Sequence, residues 1–364
     1  MELPKCDTND DVLQLVRESG RDYEVIATTV YGLELLCVRA GGAKEPPILI
    51  TAGSHAGEPA GVQAALSLMD SLETDHAVYI VPMRDPFAWG GFGRCLGLAL
   101  GQEVTIENHD GAEKCLADRG TVVYREAESS LVISLVGDLI FASVRPPQDP
   151  STRVVLEQRL RKLMSDDPTL ALLLIGMRAC WPCNETEVEG CGDFDRAFSS
   201  FVTPQGVMAD LNRQFSFAYP PTEVSCMRDL VDSLRPGLIL DLHEGFGSQF
   251  YAFADLGEEP DEAVEIGSAI LGSVLDGENH LYRLSHLVTV FPEIGERLTE
   301  PVPGLMVGAI EDPGQGASFG TYCHRYGPCF TLESGMYKPL AARVEQIVAG
   351  STAAISTFEK RYRA

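Results

Sequence analysis

The short, largely apolar run Ile48-Leu-Ile-Thr-Ala52 ends in a tight turn, and residues 59–72 then change to a helical period through Val62, Ala65, Leu66 and Met69. Ala77–Met83 is apolar again. Short runs without polar alternation suit strands buried on both faces. Pro59 stands in the first helical turn, where its missing N–H is no loss. Strand, helix and strand in this order predict a βαβ unit, and with it an α/β fold built on a mixed, mostly parallel sheet flanked by helices.

The rest of the chain extends that body. Residues 9–20 read as a short helix capped by Thr8 or Asn9, and Tyr23–Thr29 and Leu33–Arg39 as a hairpin around Tyr31-Gly32. Thr222–Leu234, Asp261–Leu275 and Leu340–Tyr362 carry helical periods, and Leu238–Leu242, Phe250–Ala254, Gly304–Ile310 and Cys329–Leu332 read as strands. The pattern changes between residues 90 and 195. Strands are expected there at Val122–Tyr124 and Leu131–Val136, and helices at Ser151–Met164 and Leu170–Met177. We read this block as a large insertion or small subdomain within one catalytic body spanning 1–364, which resumes at Val207–Leu211.

Composition narrows the function. A chain of 364 residues that is 45% hydrophobic can bury a large core. Its formal net charge of −25 repels nucleic acid and anionic membranes, so neither is an expected partner. The N-terminal stretch MELPKCDTNDDVLQL lacks the apolar segment of a secretory signal, and no window suits a bilayer span, so a cytoplasmic protein is expected. Ten cysteines without framework spacing then read as reduced thiols. Cys180-Trp-Pro-Cys183 has no second pair to complete a structural zinc site; buried thiols or a local disulfide is the expectation.

Three strand ends carry the chemistry. His55-Ala-Gly-Glu58 supplies an imidazole and a carboxylate in a strand-to-helix turn, and His243 ends the run LILDLH. Sites in open α/β sheets form beyond the carboxyl ends of strands. Two histidines and one carboxylate form a ligand set suited to hydrolytic zinc. Glu333, in FTLESG, ends a third strand. A lone HxxE match recurs by chance; here the ordered downstream elements add to it.

In that order the sequence resembles the zinc metallocarboxypeptidase family and its aspartoacylase and succinylglutamate desuccinylase relatives. The family pattern of HxxE, an NR pair, a strand-end histidine and a late glutamate reads here as His55/Glu58, Asp210-Leu-Asn212-Arg213-Gln-Phe215, Asp241-Leu-His243 and Thr331-Leu-Glu333. The resemblance covers residues 20–90 and 200–364. It implies a zinc carboxypeptidase-like phosphorylase/hydrolase fold with His55, Glu58 and His243 as zinc ligands and Glu333 as general base toward the metal-activated water. It further implies that Asn212 and Arg213 bind a substrate carboxylate, that Asp210 clamps the far nitrogen of His55, and that an arginine stabilises the oxyanion; Arg196 is favoured and Arg84 is the alternative. The implied substrate is a small peptide or an N-acyl amino acid, and the implied reaction is hydrolysis of an amide beside a carboxylate-bearing residue. The alternatives are an N-acyl amino acid deacylase and an inactive metal- or peptide-binding module. One departure is plain. The tyrosine that carboxypeptidases carry some twenty residues before the glutamate is missing; Glu311 and Asp312 stand there instead, with Tyr322 and Tyr326 nearer to Glu333.

Overall fold

A computed structural model describes residues 3–127, 131–144, 152–183, 188–190, 194–205, 207–245, 247–255, 260–275, 281–290, 297–308 and 316–362. Glu311 and Asp312 lie outside the described residues.

Two sheets organise the chain. The first is built from β1 (Tyr23–Thr28), β2 (Glu34–Gly41), β3 (Lys44–Ala52) and β4 (His76–Val81). A second sheet follows, comprising β5 (Thr121–Glu126), β6 (Leu131–Val136), β7 (Leu139–Ser143), β8 (Arg178–Pro182), β9 (Ala197–Val202) and β10 (Met208–Ala209). The chain then returns to the first sheet with β11 (Leu238–Gly245), β12 (Tyr251–Asp255), β13 (Thr299–Val302), β14 (Leu305–Val307) and β15 (Cys329–Gly335). The nine-stranded order is β1-β2-β4-β3-β11-β15-β12-β14-β13, and the six-stranded order is β10-β9-β8-β7-β6-β5.

The expected βαβ unit is present: β3 and β4 are parallel neighbours joined by the helix Pro59–Ser71. The heart of the large sheet, β4-β3-β11-β15, is parallel throughout. Its margins are more mixed than the sequence suggests, because β1–β2, β2–β4, β15–β12 and β14–β13 are antiparallel. Strand β11 is buried along its whole length, as its run of large aliphatics requires. Alternation assigns its side chains: Leu238, Leu240 and Leu242 join the larger core, which the helices Pro59–Ser71, Pro260–Val274 and Leu340–Lys360 complete. Ile239 joins the opposite cluster, with Leu49, Phe215, Met227 and Phe319. Asp241 and His243, two and four residues after Ile239, fall on that second face.

The middle block departs from expectation in extent. Met208–Ala209 pairs with β9 in the small sheet, so the body does not resume at Val207. The helices Pro86–Trp89, Gly91–Leu100 and His109–Arg119 precede this sheet, and β7, β8 and β9 add strands that the sequence reading missed. A buried ion cluster ties the sheets together. Arg178 on β8 donates to Asp85, just past β4, at 2.5 Å and to Glu223 on the helix Thr222–Leu234 at 2.7 Å. Its guanidinium also stacks on the rings of Phe87 and Phe201. Cys180 and Cys183 are buried thiols in separate apolar clusters. Among the described residues no helix is long and apolar enough to cross a membrane.

Candidate metal centre

The turn after β3 delivers His55 and then Glu58, which immediately precedes the helix beginning at Pro59. His55 Nδ1 lies 2.7 Å from Glu58 Oε1, and His243 Nδ1 lies 2.9 Å from Glu58 Oε2. One donor atom from each of the three residues falls within 4.8 Å of the others. A tetrahedral zinc ion with bonds of about 2.0–2.1 Å holds its donors about 3.3 Å apart. The three side chains therefore fit one such ion after the imidazoles draw back slightly from the carboxylate.

Each imidazole has a carboxylate behind it, and that of His243 is in hydrogen-bond contact. His243 Nε2 is 2.9 Å from Asp241 Oδ2, and His55 Nε2 is 3.6 Å from Asp210 Oδ1. Asp241 is itself fixed. Arg84 Nη1 donates to both its oxygens at 2.9 Å, and the Thr51 hydroxyl donates at 2.7 Å. A carboxylate behind a ligand histidine sets its tautomer and raises its basicity. Asp210 stands behind His55, but at 3.6 Å the two atoms are beyond hydrogen-bond length, so the clamp expected from the motif is not closed. Asp241 is a counterpart that was not assigned a role from the sequence, although it sits two residues before His243 on the same face of β11.

Charge in the site is arranged to hold a cation. Burial pulls the His55 imidazole down, but Glu58 and Asp210 outweigh it and raise it to about 9. Burial pulls His243 down too, yet Asp241 and Glu58 carry it well above the ordinary histidine range. Burial would raise Glu58, and the two imidazoles instead lower it to about 2. Such a buried anion between two proton-holding imidazoles is a place where a divalent cation can replace the protons.

Glu333 completes the group. In the parallel pair β11–β15 its register partner is His243, so both side chains stand on one face of neighbouring strands. Burial, with Glu58 and Asp241 adding their charge against the two imidazoles, pushes its carboxyl up to about 7. A carboxyl tuned near neutrality beside a metal site suits a general base.

The remaining expectations divide. Asn212 and Arg213 form a short 3-10 turn directly after Asp210. The Asn212 Oδ1 accepts from Arg84 Nη2 at 3.0 Å and from the Phe319 amide at 3.2 Å, so its carbonyl end is fixed inward. Arg213 is half-buried, and its Nη1 donates to the Asn212 carbonyl. Arg196 does not fit the oxyanion role. Its guanidinium is stacked 4.1 Å from the Trp89 ring centroid and donates to the carbonyls of Cys6, Asp7, Trp89 and Asp195. It braces the N-terminal segment against the helix Pro86–Trp89. Arg84 is no replacement, being 2% exposed and committed to Asp241 and Asn212. Tyr322 and Tyr326 both donate to Asp232 on the helix Thr222–Leu234.

A further pair escaped the sequence reading. Glu244 follows His243 and faces the other side of the sheet. It accepts from the Ala60 amide at 2.7 Å and from Arg343 on the helix Leu340–Lys360, both side chains being fully buried. It thus pins the start of the helix that follows Glu58. The only sequence signal was a second acid in the buried strand LILDLHEG, directly after His243.

No protein-family model and no curated protein matches the sequence. Solved structures that it is similar to include bovine thrombin-activatable fibrinolysis inhibitor, solved with tick carboxypeptidase inhibitor, at 9% identity over 97% of each chain with a TM-score of 0.48. Carboxypeptidase A from Helicoverpa armigera matches at 12% identity, over 98% of this chain and 75% of that one, with a TM-score of 0.44. A metallo-carboxypeptidase from Burkholderia cenocepacia matches at 13% identity, over 96% and 68%, with a TM-score of 0.44.

Proposed function

We propose that this chain is a zinc-dependent hydrolase of an amide bond next to a carboxylate-bearing residue, acting on a small peptide or an N-acyl amino acid. The observation that carries this is the convergence of His55, Glu58 and His243 within 4.8 Å, with Glu333 beside His243 across one strand pairing. Zinc held by those three donors would supply Lewis acidity for the scissile carbonyl and for a water molecule. The residues then divide the work. Glu333 takes the proton from the attacking water and passes it to the leaving amine. Asp241 holds the His243 imidazole in its ligating orientation, and Asp210 stands behind that of His55. Arg213, whose planar fork matches a carboxylate, anchors the substrate, and the Asn212 amide nitrogen is the group left to assist it. With Arg196 and Arg84 engaged elsewhere, charge on the reacting oxygen falls to the metal.

One observation favours the deacylase version of this chemistry. The inserted sheet reaches the ligand turn: a Cβ on Gly57 would lie 2.9 Å from Cys183 Sγ and 3.2 Å from the Phe198 ring. An insertion lodged against the turn between His55 and Glu58 would suit short acyl groups over long peptides.

The test is a hydrolysis screen of zinc-loaded protein with free peptides, C-terminally amidated peptides and N-acyl amino acids. Activity that needs a free carboxylate, and that Arg213→Ala lowers at least a hundredfold in kcat/KM, is expected. Equal turnover of amidated substrates would remove Arg213 from its role, and no turnover of any would leave a metal-binding module.

A further inference from the structure

The pairing of β12 with β15 carries information beyond the ligand set. Tyr251 is the direct antiparallel partner of Glu333, just as His243 is its parallel partner. Directly paired residues point to the same face of a sheet, so His243, Glu333 and Tyr251 form one row across β11, β15 and β12.

The Tyr251 ring cannot wander. It meets Phe253 edge-on at 5.4 Å and Tyr282 at 5.1 Å between ring centroids, within a cluster that includes Leu287, Leu298 and Met306. From there the ring reaches back across β15 toward β11. A Cβ on Gly245, two residues beyond His243 on the same face, would stand 2.1 Å from the Tyr251 hydroxyl. Only glycine leaves room for the phenol there.

The hydroxyl is thus placed on the metal-site face, just past the row of His243 and Glu333, by a ring that packing has immobilised. Among the described residues it makes no hydrogen bond, although the side chain is only 5% exposed. Burial, then the charge on Glu333, pushes the phenol well above its ordinary range, so it stays a neutral donor. A rigidly held donor beside reacting groups is how a site recognises a polar atom of its ligand.

Building on the hydrolase reading above, we infer that Tyr251 is a substrate-contacting, specificity-determining residue. Its hydroxyl donates a hydrogen bond to an oxygen on the side chain of the substrate's carboxylate-bearing residue. The pocket therefore selects side chains that end in an acceptor over aliphatic ones of equal size.

Asparagine and leucine side chains are nearly isosteric and differ in this respect. Calorimetry on zinc-loaded Glu333→Gln protein, with and without Tyr251→Phe, would compare N-acetylglycyl-asparagine with N-acetylglycyl-leucine. The asparagine ligand is expected to bind about tenfold or more tightly, and Tyr251→Phe, which keeps the ring packing, should bring the ratio close to one. A ratio near one before that substitution, an unchanged ratio after it, or binding of neither ligand would overturn the inference. Should Tyr251→Phe fail to fold, the ratio in the Glu333→Gln protein alone decides. The same two compounds incubated with zinc-loaded wild-type protein separate the two claims: preferential binding without hydrolysis would sink the hydrolase reading and leave the pocket assignment standing.

Discussion

Replacing Arg84 by methionine would remove the cation behind the metal site while keeping most of the side-chain volume. The guanidinium lies 4.4 Å from the Phe319 ring centroid and 5.6 Å from that of Phe215, and a thioether packs well against such rings. The loss is therefore electrostatic and not a cavity. Asp241 is fully buried and would keep only the Thr51 hydroxyl and His243. Removing one member of a buried pair costs about 3–5 kcal/mol, because the other charge is stranded. For zinc-loaded protein in urea, with a slope of roughly 3 kcal/mol per molar, the midpoint should fall by about 1–1.7 M. Arg84→Lys separates two roles. A single ammonium can serve Asp241 but cannot also hold Asn212 Oδ1 as the fork does. It should recover most of the midpoint while raising KM, since Asn212 loses its anchor. A midpoint change under about 0.3 M for Arg84→Met, equivalent to roughly 1 kcal/mol, would refute the reasoning that Arg84 neutralises Asp241.

Other outcomes follow from the same geometry. His55→Ala should drop bound zinc well below one equivalent by atomic absorption, whereas Glu333→Gln should retain the metal and lose turnover at least a hundredfold; near-normal turnover would require another base. Glu244→Gln leaves Arg343 buried and uncompensated, and should lower stability by about 3–5 kcal/mol in a denaturant titration; a loss below about 1 kcal/mol would mean the pair is dispensable. In chelated protein, His55, ordinarily 6.5 and raised to about 9, adds stability that is complete below pH 6.5 and lost as pH climbs through 9. Glu58, ordinarily 4.5 and lowered to about 2, adds stability above pH 4.5 that is lost as pH falls through 2. The metal-free melting temperature should therefore peak between about pH 4.5 and 6.5, and zinc should move the optimum upward because it displaces protons from the imidazoles. A metal-free optimum above pH 8 would contradict this account.

The parts of the molecule that could be read from the sequence are those whose signal is local. Ile48–Ala52 and Leu238–Leu242 are apolar without alternation because strands at the sheet centre meet packing on both faces. Pro59 marks a helix start, and Thr8 caps the first helix with its side chain on the Asp11 amide, both properties of a few adjacent residues. The candidate trio could be picked out because His55 and Glu58 share the turn after one such strand and His243 lies near the end of another. The fate of the arginines was not. Whether Arg84 or Arg196 faces the cleft depends on carbonyls and carboxylates far away in the chain, such as Cys6 and Asp241. The small sheet was half-read for a related reason: its strands pair across long gaps, as Leu139–Arg178 and Arg178–Phe201 do. Tyr251 carried no motif at all, and only strand register brings it to Glu333.

Adjacent residues on β11 look in opposite directions, His243 toward the ligand group and Glu244 toward Arg343 of the last helix. The strand that presents His243 is therefore braced by the helix Leu340–Lys360, which follows every ligand in the chain. During synthesis, His55, Glu58 and His243 all precede Arg343, so the brace behind β11 is the last of these parts to emerge. A cation held there would then report that the helix had seated, and a chain clipped before that helix is expected to hold the ion poorly.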